Sequence, residues 1–358
     1  ALFTATSATC VTGLVVRDTG QDFTPMGQIV ILTLIQLGGL GIVIFGAVLA
    51  LLLGQALSVR ESVAMQDLLS AQTLGRISKI IGFIFVGTIT IEAVGAISLL
   101  NLWQDSTGAS LNTHQQWFYS VFHSISSFCN AGFCLFSRSL IDYNKSWRVY
   151  IVIAPLIVLG GLGFGVLYNL FGIGCDKVKR LITPKFGTSN LAGLGAPLVA
   201  PVKMQLQTRI VLATSFALII AGTLAIIIFG RSTNPVEGFT GALFQSITAR
   251  TAGFNTIDIG SMSAANKLIL IALMFIGGSP GSTAGGIKTV TFVVIIMVVY
   301  ATLGKKRNVE IFKRSIRPVV VGRAITVTVL FAAVLLFGTL LLTLTESENG
   351  FALSLIHI

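Results

Sequence analysis

Three short steps in the chain could coordinate a cation without a charged ligand. They are "VTGLVV" (Val11–Val16), "NAGFCLF" (Asn130–Phe136) and "TAGFNTID" (Thr251–Asp258). Each sets a small residue, Thr12, Ala131 or Ala252, before a glycine, with Val11, Asn130 or Thr251 one earlier. None of these is acidic, so a carboxylate ring of the divalent-cation type is not expected. What the steps offer is backbone carbonyls, and a ring of carbonyls can replace an ion's hydration shell. Successive carbonyls face one way only where some residue takes backbone angles closed to a Cβ, and glycine does so at little steric cost. Gly13, Gly132 and Gly253 are therefore candidates for one Gly per filter segment. The plainer reading is that each glycine serves a tight turn.

The elements around the steps favour the filter. The three glycines are spaced by 119 and 121 residues, and a second feature keeps that period: Gly38–Gly39 in "QLGGLGI", Gly160–Gly161 in "LGGLGF" and Gly277–Gly278 in "IGGSPG". A lone GG pair in an apolar segment is ordinary packing chemistry, but two glycine features sharing one period define an internal repeat. Before the second and third steps lie "QQWFYSVFHSISSF" (Gln115–Phe128) and "PVEGFTGALFQSITA" (Pro235–Ala249). These are too short to span a bilayer, which takes about 20 residues. They suit half-helices that enter the membrane and return, tolerated only where protein or a water-filled cavity surrounds them. Converging half-helix C-termini would carry partial negative charge, which favours a cation.

Composition agrees with a membrane setting. Of 358 residues, 54% are hydrophobic and only 10% charged, far below the roughly 25% of soluble chains. Apolar segments run over about 26–53, 78–100, 147–171, 208–230, 268–303 and 319–344. Basic and acidic connections alternate between them. Arg60, Arg76 and Lys79 fall in 54–79; Lys177, Lys179, Arg180, Lys185, Lys203 and Arg209 in 172–209; Lys305, Lys306, Arg307, Lys313, Arg314, Arg317 and Arg323 in 304–323. The other connections hold Asp18 and Asp22, Asp105, Glu237 and Asp258, then Glu346 and Glu348. The positive-inside rule puts the basic set in the cytoplasm and the three glycine steps outside. The net charge of +11 is explained this way, not by nucleic acid. The four cysteines, Cys10, Cys129, Cys134 and Cys175, form no CxxC pair and suggest neither metal nor disulfide.

A second glycine-rich stretch, "GGSPGSTAGGIK", runs through Gly277, Gly278, Ser279, Pro280, Gly281, Ser282, Thr283, Ala284, Gly285, Gly286, Ile287 and Lys288. Its five glycines and one proline make a poor helix, and irregular backbone at membrane depth lines a cavity. Lys288 is costly there and so a functional candidate, unless it snorkels to the interface. Arg250 precedes Gly253 by three, where Cys10 and Cys129 stand in the other steps. It is expected to brace the filter from behind, with Glu237 and Asp258 as nearby acids, or else to repel ions directly. Glu92 is the one acid in the segment 78–100, with functional and structural-pair readings equally open. His123, in the second half-helix, suits packing better than chemistry. An enzyme is disfavoured: there is no HExxH, "GIGCD" (Gly172–Asp176) departs from the GxGD of intramembrane aspartyl proteases at Cys175, and "GGSPGS" lacks the GxSG of rhomboid-type proteases. A secondary transporter of another small solute, with broken-helix sites, is the alternative.

The stretches "TATSATCVTGL", "SFCNAGF" and "ARTAGFNT" resemble the first three pore loops of the Trk/Ktr/HKT superfamily of potassium transporters, most closely its Ktr branch. The resemblance covers nearly the whole chain. It implies an all-α integral membrane fold of tandem membrane-pore-membrane repeats, pseudo-fourfold around one ion path and potassium-channel-like. It implies potassium as the transported ion at Val11–Gly13, Asn130–Gly132 and Thr251–Gly253, since some plant relatives that favour sodium have Ser at the first glycine. It further implies sodium as an activator, a gating role for the Gly277–Lys288 loop, a homodimer in the plasma membrane, and a cytoplasmic nucleotide-binding regulatory ring of the RCK/KTN type. Nucleotide would act only through that separate subunit. The basic loops 172–209 and 304–323 are its expected docking faces, although anionic lipid explains their charge equally. The repeats are expected at 1–77, 78–207, 208–318 and 319–358, with the first span of the first repeat and the pore loop and second span of the fourth outside the chain. Three filter loops around an axis with one quadrant open are predicted, and no re-entrant loop within 345–358.

Overall fold

A computed structural model describes residues 1–41, 77–104, 110–182, 203–230, 238–306, 308–312 and 314–345. Arg60, Arg76, Asp105, Lys185, Glu237, Arg307, Lys313, Glu346 and Glu348 lie outside the described residues, as does the segment 346–358 on which the expectation about a fourth loop falls.

The described chain is helical apart from one short hairpin. Helix α1 covers Leu2–Thr9, α2 Pro25–Leu40, α3 Ile77–Leu99, α4 Thr113–Phe128, α5 Ala154–Leu162, α6 Phe164–Ile182, α7 Leu206–Phe229, α8 Gly238–Thr248, α9 Ala264–Phe275, α10 Thr289–Leu303 and α11 Pro318–Thr345. Strands β1 (Glu310–Ile311) and β2 (Arg314–Ser315) pair antiparallel between α10 and α11. Three helix starts follow from local sequence. Thr24 Oγ1 accepts from Gly27 N–H ahead of Pro25 at the first turn, Asn112 Oδ1 accepts from Gln115 N–H, and Ser263 Oγ accepts from Asn266 N–H. Each satisfies one of the donors that a helix N-terminus leaves over.

Among the described residues, Ile80–Leu99, Leu206–Phe229 and Pro318–Leu344 are long and apolar enough to cross a membrane as single helices. The expected span at 147–171 is not one. Its helical residues, 149–162 and 164–181, meet at 104°, with Gly163 at the corner in left-handed backbone (φ +86). Likewise α2 stops at Leu40 before Gly41 (φ +82), inside the apolar run expected to continue to residue 53. The interrupted segment 268–303 holds α9 and α10, with residues 276–288 between them non-helical.

The short helices α4 and α8 each pack against the long helix before them, α3 and α7, and α1 packs against α2. Where α3 meets α4, Gly95 leaves room for Ser124: a Cβ on Gly95 would collide with Ser124 Oγ, whose hydroxyl donates to Glu92 O at 2.7 Å. Where α7 meets α8, Gly222 does the same for Ser246, which donates to Ile219 O at 2.9 Å. In lipid, helices associate through close packing and hydrogen bonds, and both contacts use a glycine and a serine to bring a short helix onto a span. Just past the C-terminal end of α3 the fully buried Trp103 donates from Nε1 to Ser120 Oγ (2.9 Å) and stacks on His123 (4.4 Å between centroids). His123 is thus a packing residue, with Nδ1 on Tyr119 O at 2.7 Å and its ring also stacked on Phe136.

Candidate functional site

Helices α1, α4 and α8 end four, four and five residues before Gly13, Gly132 and Gly253. The backbone after each then follows one pattern. Val11 (φ 56) and Gly13 (φ 75) flank Thr12; Asn130 (φ 55) and Gly132 (φ 70) flank Ala131; Thr251 (φ 68) and Gly253 (φ 81) flank Ala252. Two left-handed residues one apart thus recur three times. Glycine takes these angles freely, but a β-branched valine or threonine does not. Each non-glycine residue so held costs about 1–3 kcal/mol, strain that persists only where surroundings enforce it and that gathers at functional sites. The sequence reading placed this freedom in the glycine alone and missed the residue two before it.

The three loops converge on one another. A Cβ on Gly13 would meet Ala131 O at 2.5 Å and Gly132 Cα at 3.3 Å. A Cβ on Gly132 would meet Ala252 O at 2.8 Å and Gly253 Cα at 2.9 Å, and one on Gly253 would meet Gly132 Cα at 3.0 Å. Gly132 is therefore the middle of three adjoining glycines, each facing the next loop with backbone only. Such a surface offers a cation carbonyl oxygens and the negative ends of short helices.

Contacts behind the loops fix these carbonyls. Ser126 Oγ donates to Phe133 O and Thr248 Oγ1 to Phe254 O, both at 2.7 Å. These tie the last turn of α4 and of α8 to the residue following the loop glycine. Two of the GG pairs support helix ends, whereas Gly277 and Gly278 pack within the 276–288 segment and on Gly161. A Cβ on Gly38 would run into Thr9 O, and one on Gly160 into Phe128 O. Thr9 and Phe128 hold the same place, four residues before their loop glycines. Gly39 packs on Cys129, where a Cβ would sit 2.5 Å from Sγ.

Arg250 and Glu92 flank this layer. Arg250 is buried and donates from Nη2 to Ser215 Oγ of α7 (3.1 Å) and toward Gly277 O (3.5 Å). It forms no ion pair with Asp258, whose Oδ1 instead accepts from Gly260 N–H within its own turn; the other expected partner, Glu237, is outside the described residues. Asp258 thus serves its own turn, while Arg250 bonds α7 and the start of the 276–288 segment. Glu92 is buried on α3, where Oε2 accepts from Gln36 Nε2 of α2 (3.1 Å) and Oε1 faces Cys129 Sγ (3.9 Å). Three elements meet there: α2, α3 and the end of α4.

The interruption between α9 and α10 lies directly against the loops. Its ends are pinned together by Gly277 N–H to Ile287 O (3.1 Å) and Ile287 N–H to Phe275 O (3.1 Å). Lys288 Nζ donates to Ala284 O (2.7 Å), closing the loop on itself. The middle of the loop reaches the corner at Gly163. Ser279 N–H donates to Gly161 O (3.0 Å), Thr283 N–H to Gly160 O (3.3 Å) and Phe164 N–H to Gly281 O (2.9 Å), and Ser279 Oγ bonds Leu162 O. The two broken helices thus satisfy each other's freed backbone groups, which membrane depth requires. The loop also touches the glycine steps: Gly285 N–H donates to Thr251 Oγ1 (2.9 Å), and Thr283 Oγ1 is 2.9 Å from the Asn130 amide. With the Asn130 amide oriented to satisfy both its ends, an assignment made from the network, its oxygen accepts from Thr283 Oγ1 (2.9 Å) and Gly161 N–H (3.2 Å), and its nitrogen donates to Ile157 O (3.2 Å). Ile157 O and Gly161 N–H are an i, i+4 pair. The amide bridges two groups that an α-helix pairs directly, an insertion that accompanies kinks.

The described residues thus combine helices long and apolar enough to cross a membrane with three short helices that end at converging backbone loops. The sequence matches the TrkH family, described as cation transport proteins, over residues 1–354. The chain belongs to this family; its relatives are cation transporters, and it is not an enzyme. It is 36% identical over 354 residues to Ktr system potassium uptake protein B of Bacillus subtilis, covering 97% of this chain and 73% of that protein. The protein of the same name from Vibrio alginolyticus is 34% identical over 356 residues, covering 98% and 72%. Potassium/sodium uptake protein NtpJ of Enterococcus hirae is 31% identical over 353 residues, covering 97% and 72%. The crystal structure of the potassium transporter TrkH from Vibrio parahaemolyticus shares the fold with a TM-score of 0.68 at 20% identity, over 96% of this chain and 64% of that one.

Proposed function

We propose that this chain forms most of the ion path of a potassium uptake protein. The observation that carries the reading is the threefold recurrence of one strained backbone turn, at Val11–Gly13, Asn130–Gly132 and Thr251–Gly253, with Gly132 adjoining both other glycines. On this reading the carbonyls of those residues form three quarters of a selectivity filter on the outer face, and the repeats fall at 1–77, 78–207, 208–318 and 319–358 around a pseudo-fourfold axis. Potassium as the ion is supported by the names of the relatives, and sodium as a second ion by that of NtpJ. The loop Gly277–Lys288 lies beneath the filter as a gate, Arg250 braces the third loop, and the basic segments face the cytoplasm. That the relatives are named as subunits of a Ktr system supports a partner, which we take to be a cytoplasmic nucleotide-binding ring under a membrane homodimer.

Rubidium uptake into cells lacking potassium transport, expressing the full-length protein that carries this chain, tests the reading. Uptake should appear, and Gly132→Ser should weaken potassium relative to sodium. A protein that is made and inserted yet moves no potassium or rubidium would favour transport of another small solute through broken-helix sites.

A further inference from the structure

Asn130 and Thr251 belong to the filter turns, yet their side chains face away from the loop glycines and into the intramembrane loop. Asn130 is 2% exposed and holds Thr283 Oγ1 together with the carbonyl and amide of adjacent turns of α5. Thr251 Oγ1 accepts from Gly285 N–H at 2.9 Å. Each is also the strained left-handed residue of its turn, at φ 55 and 68. Strain of this kind is held only by surrounding contacts, and the loop supplies one of those contacts to each. Val11, the counterpart in the first turn, has no hydroxyl or amide with which to do this.

We propose that Asn130 and Thr251 are positioning residues linking the shape of the filter to the position of the 276–288 loop. A bound ion that fixes the second and third turns thereby holds the loop in place. When the loop leaves, Asn130 and Thr251 lose partners and those two turns relax. The coupling is reciprocal by necessity: if the loop's position alters the filter's affinity for an ion, the ion alters the loop's position by the same factor. The proposal rests on the reading of the glycine steps as a filter and of the loop as mobile.

The test uses the full-length protein in a cysteine-free background with Ser282→Cys as reporter. Labelling by a thiol reagent is followed with and without rubidium, in the parent, in Thr283→Val, in Thr283→Ser and in Thr251→Val. Threonine to valine keeps shape and removes the hydroxyl, and Val11 shows that valine is held in this turn. Rubidium should slow labelling in the parent and in Thr283→Ser. Thr283→Val and Thr251→Val should each lose that protection by about three- to tenfold, the scale of one hydrogen bond, and lose rubidium-over-sodium discrimination by a similar factor in uptake assays without the reporter. Valine variants that insert normally and keep both ion protection and discrimination would overturn the coupling and leave the filter intact. If Gly132→Ser also leaves discrimination unchanged, the filter reading fails instead.

Discussion

The hydroxyl of Ser126 reaches over the turn that carries Gly132 and donates to the carbonyl of Phe133, 2.7 Å away. Both residues are buried, and Thr248 repeats the arrangement with Phe254. On the proposed reading, the bond fixes the orientation of the carbonyl that follows the loop glycine and so the end of the row that faces the path.

Ser126→Ala should therefore blur the filter without emptying it. Removing one partner of a buried hydrogen bond costs about 1–3 kcal/mol. Rubidium uptake should persist with weaker exclusion of sodium, measured by competition. Thr248→Ala should behave alike and Thr248→Ser should resemble the parent.

Gly132→Ala should be far more damaging than a glycine change elsewhere. The new methyl would sit 2.8 Å from Ala252 O and 2.9 Å from Gly253 Cα, in backbone at φ +70. The conformation alone costs an alanine about 1–2 kcal/mol, and backbone on the facing loop cannot swing aside. Gly174→Ala on α6 meets nothing within 4 Å and should leave uptake unchanged. Equal uptake by the two variants would contradict the packed-glycine geometry.

Arg250 should respond to changes in α7 and not to changes in the turn that holds Asp258. Ser215→Ala removes its hydroxyl acceptor and should lower the thermal midpoint of the purified protein by about one degree, as a loss of about 1 kcal/mol does in a chain of this size. Asp258→Asn keeps the acceptor for Gly260 N–H and should be silent in both stability and uptake. A large effect of Asp258→Asn would restore the ion pair that the structure lacks.

For Glu92, shape and hydrogen bonding should matter more than charge. Glu92→Gln retains an acceptor for Gln36 Nε2 and should be made, inserted and active. Glu92→Leu strands that amide at membrane depth and should reduce the yield of folded protein. Loss of uptake in a well-folded Glu92→Gln protein would show that the carboxylate itself acts on the ion.

Much of this was legible because the repeat writes the same physical demand three times. A turn that must adopt left-handed backbone needs glycine, so that letter recurs at a fixed period in all three copies. The GG pair keeps the period too, but Gly38 and Gly160 pack on the end of a short helix, while Gly277 and Gly278 pack within their own loop. The strain at Val11, Asn130 and Thr251 left no such letter, since valine, asparagine and threonine are common in any loop and only neighbouring contacts force their angles. The 104° corner was hidden because residues 147–171 read as one apolar run. It turns at Gly163, and its partners are an amide on another element, Asn130, and a loop more than a hundred residues away. For Arg250 the sequence offers only the nearby acids Glu237 and Asp258 as partners, whereas its hydroxyl and carbonyl partners carry no charge to betray them. The pairs Gly95 with Ser124 and Gly222 with Ser246 were readable in principle, as small residues recurring on successive spans and half-helices.

The interlocked breaks make the loop a poor candidate for clean excision. Gly160, Gly161 and Leu162 lend their carbonyls to Thr283 and Ser279, and Phe164 takes its acceptor from Gly281. Cutting out 279–283 would orphan those buried groups, and the least costly remedy is for the bent pair α5 and α6 to straighten toward a continuous span. A shortened protein would then differ from its parent in two helices, one of which was never touched, and its transport would report on both changes at once.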